Sequence, residues 1–168
     1  QKPRHVEVQI VGDGKGNAIH LGTRDCSLQR RHQKIIEEAP ALDLDADSLK
    51  ILLDACVHLC KEINYEGAGT LEFLYENKEF YFIEMNTRIQ VEHPVTEMIT
   101  GFDIVKAQIK IALGINYDLD QRLITFKGHS IECRINAEDP ETFEPCPGKI
   151  TKMHTAGGFG IRYDSHIY

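Results

Sequence analysis

The sequence predicts an α+β fold, in which strands and helices are mixed along the chain. Three observations indicate this class: alternating polar and apolar residues at 6–10, a helical period at 48–63, and two strand patterns around a turn at Asn77. Alternation with a period of two is typical of a half-buried strand. Apolar residues three and four positions apart are typical of a helix with one apolar face.

The N-terminal region is predicted to start with a hairpin. Residues 6–10 form the first strand, a glycine-rich turn follows, and residues 18–21 return as the second strand. The stretch 24–38 is very polar and has no regular element assigned. It contains Gln29–Lys34, the densest basic run of an otherwise acidic chain.

The helix predicted at 48–63 has Asp47 as its N-cap, because an aspartate carboxylate can accept an exposed backbone N–H of the first turn. Asn64 and Gly67 follow, and both residue types tolerate the positive φ that is common at helix ends. Two strands are then predicted, at 70–76 and 80–85, with a tight turn between them.

A polar loop is predicted at 86–94. A second helix follows from about 103 to 113, with inner positions at Ile104, Ala107, Ile111 and Ala112. Residues 116–127 have the composition of a linker, and short strand patterns follow at 130–135, 150–153 and 161–163. We place a domain boundary near residue 120, which divides the chain into 1–120 and 121–168.

Composition limits the classes of function. The 168 residues are 42% hydrophobic and 27% charged, with a formal charge of −7. An acidic chain has no general attraction for nucleic acid or anionic membranes. No apolar stretch is long enough to span a bilayer, and no signal-peptide pattern is present. The five cysteines form no CxxC pair, which predicts buried free thiols in a reducing compartment. Both ends of the sequence have the pattern of a fragment.

The acidic residues of the central hairpin are the first candidate site. Glu84 and Asn86 are two positions apart and therefore share a face. A two-residue turn at Asn77–Lys78 would put Glu72 on the other face, whereas a three-residue loop or a bulge would bring all three together. Three oxygen donors on one face suit Mg²⁺ or Mn²⁺ beside nucleotide phosphates. The alternative is an amphipathic hairpin with a solvated acidic face.

The loop that follows strengthens the metal hypothesis. It offers a guanidinium at Arg88, which can bind a planar oxyanion, and a carboxylate at Glu92, which can act as a general base. Either residue alone on a loop is usually solvated. Attached to Glu84 and Asn86, they predict a reaction centre.

The run Glu84–Glu97 is similar to the hallmark motif of biotin carboxylases, ATP-grasp enzymes found alone or within acetyl-CoA, propionyl-CoA and pyruvate carboxylases. Three further stretches agree: Arg4–Gln9, Gln29–Pro40 and Glu132–Glu138. The resemblance covers essentially the whole chain. It implies part of an ATP-grasp domain over 1–120 and the start of the biotin carboxylase C-terminal domain over 121–168.

The resemblance also implies roles for individual residues. Catalysis would involve Arg88, Glu92 and Arg134. Bicarbonate would contact Arg88, Gln90, Val91 and Lys34, and biotin would contact Arg88 and Arg134. The nucleotide would contact His5, Gln29, His32, Gln33, Glu72 and Glu84. Mg²⁺ or Mn²⁺ ions, at two sites, would bind Glu72, Glu84 and Asn86.

The implied reaction is the ATP-dependent carboxylation of biotin by bicarbonate through carboxyphosphate. Overall similarity favours the first half-reaction of a bacterial acetyl-CoA carboxylase in fatty acid synthesis. The implied partners are biotin carboxyl carrier protein, a carboxyltransferase and a second copy of the full-length enzyme. The implied location is cytoplasmic, or mitochondrial for a eukaryotic carboxylase.

Some expected features of the family are missing from the sequence. The glycine-rich loop over the phosphates, the upstream nucleotide-binding lysines and the adenine-binding segment are absent, which predicts that the chain alone is inactive. Two alternatives remain: another ATP-grasp carboxylate ligase, or a non-catalytic module of the same fold. The motif from Arg88 to Glu92 and Arg134 argue against the first, and Mg²⁺-dependent nucleotide binding would argue against the second.

Overall fold

The computed structural model describes residues 3–167, and within them six strands form a single antiparallel sheet. The strand order is β5-β4-β1-β2-β3-β6. The strands are β1 (Arg4–Asp13), β2 (Ala18–Arg30), β3 (Gln33–Ala39), β4 (Glu66–Glu76), β5 (Glu79–Asn86) and β6 (Ser130–Cys133). The helices are α1 (Ala46–Glu62), α2 (His93–Thr100) and α3 (Ile104–Ala112), with a short 3-10 turn at Gln121–Leu123. The α+β class is confirmed.

Helix α1 covers one face of the sheet. Leu52, Cys56 and Cys60 of the helix pack against Val8 of β1 and Leu71 of β4. The helix begins after Asp45, whose carboxylate accepts the backbone N–H of Ser48 at 3.2 Å. The prediction of Asp47 as the N-cap was therefore wrong, since Asp47 lies inside the first turn.

The opposite face of the sheet is covered as well. Helix α3 packs Ile104, Ala107 and Ile111 against Val11 and its neighbours at one end, and α2 contributes a smaller cluster with Ala39. Glu7 and Gln9 lie on this second face and are fully buried. The interpretation of β1 as half-buried was wrong, because both faces of this strand are covered.

Several predicted elements differ from the structure. The polar stretch 24–38 forms the end of β2 and all but the last residue of β3, and α2 was not predicted. Ala112 is exposed, unlike the other three inner positions predicted for α3. The strand predicted at 130–135 is confirmed as the shorter β6. Within the described residues, 150–153 and 161–163 form no strand.

The chain divides into two compact units, Gln1–Arg134 and Ile135–Tyr168. Strand β6 belongs to the first unit because it pairs with β3. In the second unit, Glu138 forms an isolated antiparallel bridge with Pro145. The predicted boundary near residue 120 lies inside the first unit, and it remains a prediction for the domains of the complete protein.

All five cysteines, each within the described residues, are free thiols. Cys26, Cys56 and Cys60 are buried as predicted, whereas Cys133 and Cys146 are exposed. Between residues 3 and 167 no helix combines the length and the apolar character needed to cross a membrane.

Candidate active site

Four charged residues form a row across the buried second face of the sheet. Glu84 on β5 pairs with Glu72 on β4, Glu72 pairs with Glu7 on β1, and Glu7 pairs with Arg24 on β2. Directly opposed residues of antiparallel strands point to the same side, so the four side chains share one face. The row gives this face three carboxylates and one guanidinium within four adjacent strands.

A bulge in β5 brings Glu84 into this row. The turn has two residues, Asn77 and Lys78, with φ of 53° and 67°, and it pairs Glu76 with Glu79. The register then shifts between Phe73 and Glu72, so that Ile83 is an extra residue in β5. The metal hypothesis required either a three-residue loop or a bulge, and the structure has the bulge.

Asn86 completes a cluster of oxygen-bearing side chains. Its Nδ2 donates to Glu72 Oε1 at 2.8 Å and to Glu84 Oε1 at 3.0 Å. The amide nitrogen therefore lies between two carboxylate oxygens, and Glu84 is exposed to solvent. Because all three side chains offer hard oxygen donors, the set fits a divalent cation such as Mg²⁺ or Mn²⁺.

Glu72 is held as an anion by its surroundings. His5 Nε2 lies 2.6 Å from Glu72 Oε2, and Gln90 Nε2 donates to Oε1 at 2.8 Å. Gln29 donates to the other ring nitrogen of His5, Nδ1, at 3.1 Å, so the proton on Nε2 faces Glu72. Burial opposes ionisation, but these hydrogen bonds and the charge of Lys34 outweigh it and lower the pKa of Glu72 to about 2.

Lys34 connects three carboxylates. Its Nζ donates to Glu7 Oε1, to Glu72 Oε1 at 3.1 Å and to Glu92 Oε1 at 2.9 Å. Burial alone would lower its pKa, but the charges of Glu7 and Glu92 outweigh burial and raise the pKa of Lys34. The ammonium group therefore joins the proposed metal ligands to the proposed base.

Glu92 precedes the first turn of α2, but its carboxylate points into the site. Oε1 accepts from Lys34, and Oε2 accepts from Arg134 at 3.0 Å. Burial would raise the pKa of this carboxyl, but the charges of Arg24 and Lys34 outweigh burial and lower it. Glu92 is only 2% exposed. A buried carboxylate that stays ionised is in the protonation state that a general base needs.

Arg134 lies just after β6 and is held by two carboxylates. Its Nε donates to Glu37 Oε1 at 2.6 Å, and its NH2 group lies 2.5 Å from the same oxygen and 3.0 Å from Glu92 Oε2. The backbone N–H of Arg134 donates to the carbonyl of Ile35, which extends the pairing of β6 with β3. The guanidinium is therefore fixed from both backbone and side chain.

Arg24 is a site residue that the sequence analysis missed. It is fully buried and donates to Glu7 at 3.1 Å, to Gln9 at 2.7 Å and to Gln90 at 3.1 Å, among other contacts. The polar stretch 24–38 contains no local signal that Arg24 is buried. Glu7 was also missed, although a carboxylate within a strand pattern is the same signal that identified Glu72.

Several residues with predicted roles lie outside this network. Arg88 is exposed, and its guanidinium donates to the Ile89 carbonyl at 3.2 Å. Val91 is 59% exposed. His32 and Gln33 are exposed where β2 turns into β3. Of the basic run, Lys34 enters the network directly and Gln29 does so through His5, while the roles of the other residues stay predictions.

Comparison with known proteins gives a consistent result. Residues 1–121 match the family described as carbamoyl-phosphate synthase L chain, ATP binding domain, and residues 132–168 match the biotin carboxylase C-terminal domain. The chain is 62% identical over 166 residues to the biotin carboxylase of Pseudomonas aeruginosa and 60% identical over 168 residues to that of Haemophilus influenzae. These alignments cover 99% and 100% of this chain.

Solved structures agree with the sequence relatives. The complex of Campylobacter jejuni biotin carboxylase with β-γ-ATP matches with a TM-score of 0.94 and 56% identity, over 100% of this chain and 38% of that one. The bicarbonate-bound biotin carboxylase domain of a thermophilic 2-oxoglutarate carboxylase matches with a TM-score of 0.90 and 56% identity, over 96% of this chain and 37% of that one.

The chain spans 37% of the Pseudomonas relative and 38% of the Haemophilus relative. All three comparisons indicate one group of proteins: the sequence identity extends over the whole chain, both family descriptions match, and the fold is shared. The chain belongs to the ATP-grasp family of biotin carboxylases.

Proposed function

We propose that this chain supplies the metal-binding and bicarbonate-binding part of a biotin carboxylase, which carboxylates biotin using ATP and bicarbonate. The observation that supports this most directly is the position of Glu92. It is a buried, ionised carboxylate between Lys34 and Arg134, and Lys34 connects it to the oxygen cluster at Glu72. A base beside a cation site suits a reaction between a small oxyanion and a nucleotide phosphate.

The metal ligands are proposed to be Glu72, Glu84 and Asn86, with Mg²⁺ or Mn²⁺ at two sites. A bound divalent cation would neutralise charge on the reacting phosphates. A related 2-oxoglutarate carboxylase domain is described as a dimer in complex with MgADP and bicarbonate. His5, Gln29, His32 and Gln33 are proposed as nucleotide contacts.

Glu92 is proposed to remove the proton from bicarbonate. Each of its oxygens accepts one hydrogen bond from a cation and keeps a second lone pair that can take a proton. Lys34, which bonds Glu92, is proposed to bind the resulting dianion. Arg88, Gln90 and the backbone of Val91 are proposed to complete the bicarbonate site.

The deprotonated bicarbonate then attacks the γ-phosphate of ATP, which forms carboxyphosphate and releases ADP. Carboxyphosphate breaks into CO2 and phosphate, and the phosphate accepts the ring N–H proton of biotin. The biotin enolate attacks CO2 and forms carboxybiotin. Arg134, with Arg88 nearby, is proposed to stabilise the enolate because a guanidinium binds a delocalised oxyanion well.

The partners and the location follow from the same proposal. Biotin would be presented by a biotin carboxyl carrier protein, and a carboxyltransferase would consume the carboxybiotin. The full-length enzyme is proposed to form a homodimer in the cytoplasm, although a relative in Arabidopsis thaliana is described as chloroplastic. Fatty acid synthesis is the pathway proposed for the parent acetyl-CoA carboxylase.

The proposal can be tested in a chimeric enzyme, in which residues 1–168 replace the matching segment of the Pseudomonas aeruginosa biotin carboxylase. ATP hydrolysis is measured with bicarbonate and Mg²⁺, with and without free biotin. We expect a rate that biotin stimulates and that is lost in both Glu92→Gln and Arg134→Ala. Hydrolysis that ignores biotin and needs another acceptor would instead assign the chain to a different ATP-grasp ligase.

A further inference from the structure

We propose that Glu37 and Glu132 share one proton and together position Arg134. This inference rests on the proposed function, since it concerns the arginine assigned to the biotin enolate. Neither glutamate has a role in the reaction described above, and neither belongs to the proposed metal site.

Glu37 and Glu132 are directly opposed on two paired strands. Glu37 lies on β3 and pairs in register with Glu132 on β6. Opposed side chains on antiparallel strands point to the same side, with Cβ atoms about 5 Å apart. Glu37 is fully buried, and its Oε1 accepts a hydrogen bond from Arg134 Nε at 2.6 Å and lies 2.5 Å from the NH2 group of the same guanidinium. Arg134 therefore bonds one member of an opposed pair of carboxyl groups.

Each carboxyl group has one buried oxygen without a donor. Among residues 3–167, Glu37 Oε2 and Glu132 Oε2 have no hydrogen-bond partner. A buried acceptor without a donor is unfavourable, and two ionised carboxylates opposite each other repel. A single proton between the two oxygens removes both problems, because one carboxyl then donates and the other accepts.

The surrounding charges place this proton on Glu132. Burial and the adjacent charge of Glu37 raise the pKa of Glu132 to about 7. Burial also raises the pKa of Glu37, but the Arg134 guanidinium on its other oxygen opposes this. Because the Arg134 guanidinium bonds Glu37, the geometry assigns the negative charge of the pair to Glu37 and the proton to Glu132. The other charged groups that face the pair are Glu7 on β1, Arg24 on β2, Glu92 before α2, and Arg134 itself.

This arrangement gives Arg134 a fixed partner during the reaction. Arg134 is held by Glu37 on one side and by Glu92 on the other. When Glu92 takes a proton, it loses its charge and holds the guanidinium less strongly. Glu37 keeps its charge and continues to hold Arg134 in place. If Glu132 were also ionised, its charge would compete with Glu37 for the guanidinium.

The proton itself can be detected by infrared spectroscopy of the chimeric enzyme. Below pH 7 we expect the carbonyl stretch of a protonated carboxylic acid, which disappears in Glu132→Gln and remains in the control Glu38→Gln. Glu38 is the next residue of β3, where it pairs with Ile131 and bonds His129 instead. A spectrum that Glu132→Gln leaves unchanged would overturn the proposal.

Kinetics then test the positioning role. Glu37→Gln should lower the biotin-dependent kcat about tenfold or more while the KM for ATP stays the same, because Arg134 is assigned to biotin. Glu132→Gln provides a permanent neutral donor, so it should remove the fall in kcat that ionisation of Glu132 causes above pH 7. A merely structural role would change neither the pH profile nor the balance between kcat and KM.

The two proposals fail in different ways. If Glu132→Gln and the unsubstituted chimera have the same pH profile, the positioning role is wrong even when biotin-dependent turnover is present. If the chimera shows no biotin-dependent turnover at all, the proposed function is wrong, and the infrared band still decides whether the proton is shared.

Discussion

Glu72 and Glu84 face each other across β4 and β5 because Ile83 is an extra residue between them and the turn. In a regular ladder without this bulge, Ile83 would lie opposite Glu72, and Glu84 would point to the other face. The bulge therefore allows Phe82 to pair with Phe73 on the α1 side while Glu84 pairs with Glu72 on the site side.

Deleting Ile83 should preserve the proposed metal site. The deletion joins Phe82 directly to Glu84, which leaves Glu84 opposite Glu72 in a regular ladder. We expect Mn²⁺ affinity of the chimeric enzyme to stay within about threefold, whereas Glu84→Ala should lower it at least about tenfold. Titration calorimetry measures both. A deletion as harmful as Glu84→Ala would contradict the register.

Removing the charge of Lys34 should destabilise the protein strongly. Lys34→Met leaves three buried carboxylates, Glu7, Glu72 and Glu92, without their shared cation. We expect a loss of about 3 kcal/mol in unfolding free energy, as is typical when one partner of a buried ion pair is removed. Urea denaturation of the chimeric enzyme measures this loss.

The matched control for Lys34 is Lys50→Met. Lys50 pairs with Asp54 at 2.7 Å, but both side chains are largely exposed. An exposed pair of this kind contributes little to stability, so Lys50→Met should lower the unfolding free energy far less than Lys34→Met. Equal losses in the two variants would show that the carboxylates around Lys34 do not depend on its charge.

The N-terminus of α1 offers a comparison of two nearby aspartates. Asp45 accepts the backbone N–H of Ser48, whereas Asp47 lies within the first turn. Asp45→Ala should therefore lower the free energy of unfolding, as is usual for a lost N-cap. Asp47→Ala should cost less, since only its interaction with the helix dipole is lost. The reverse order would restore Asp47 as the cap.

The sequence predicted the part of the site that depends on local spacing. The proposed metal cluster could be predicted because Glu84 and Asn86 are two residues apart in one strand and therefore share a face. The same reasoning showed that Glu72 could join them only through a three-residue loop or a bulge. The turn, α1 and α3 were predicted for the same reason, since each depends on residues close together in the chain.

The rest of the site could not be predicted from the sequence, because it depends on which strands pair. Glu7, Arg24 and Glu37 are buried because β1, β2 and β3 lie inside a six-stranded sheet, and no local pattern shows that position. Their polar side chains instead indicated exposure. Helix α2 was missed because its eight residues follow a polar loop, and Pro94 was read as the end of that loop although proline is also favoured in a first helical turn.

The protonation of Glu132 should be visible in stability as well as in kinetics. The folded-state pKa of about 7 lies above the ordinary value of 4.5, so between these values the folded protein holds a proton that the unfolded chain releases. Stability from this group is therefore present below pH 4.5 and is lost as the pH rises through 7.

Glu132→Gln has no proton to lose. Its unfolding free energy, compared with that of the unsubstituted chimera, should rise between about pH 5 and pH 8 by on the order of 1 kcal/mol. Glu62→Gln, an exposed control at the end of α1, should show no such change. Parallel stability curves for Glu132→Gln and the unsubstituted enzyme would mean that Glu132 is already ionised in the folded protein.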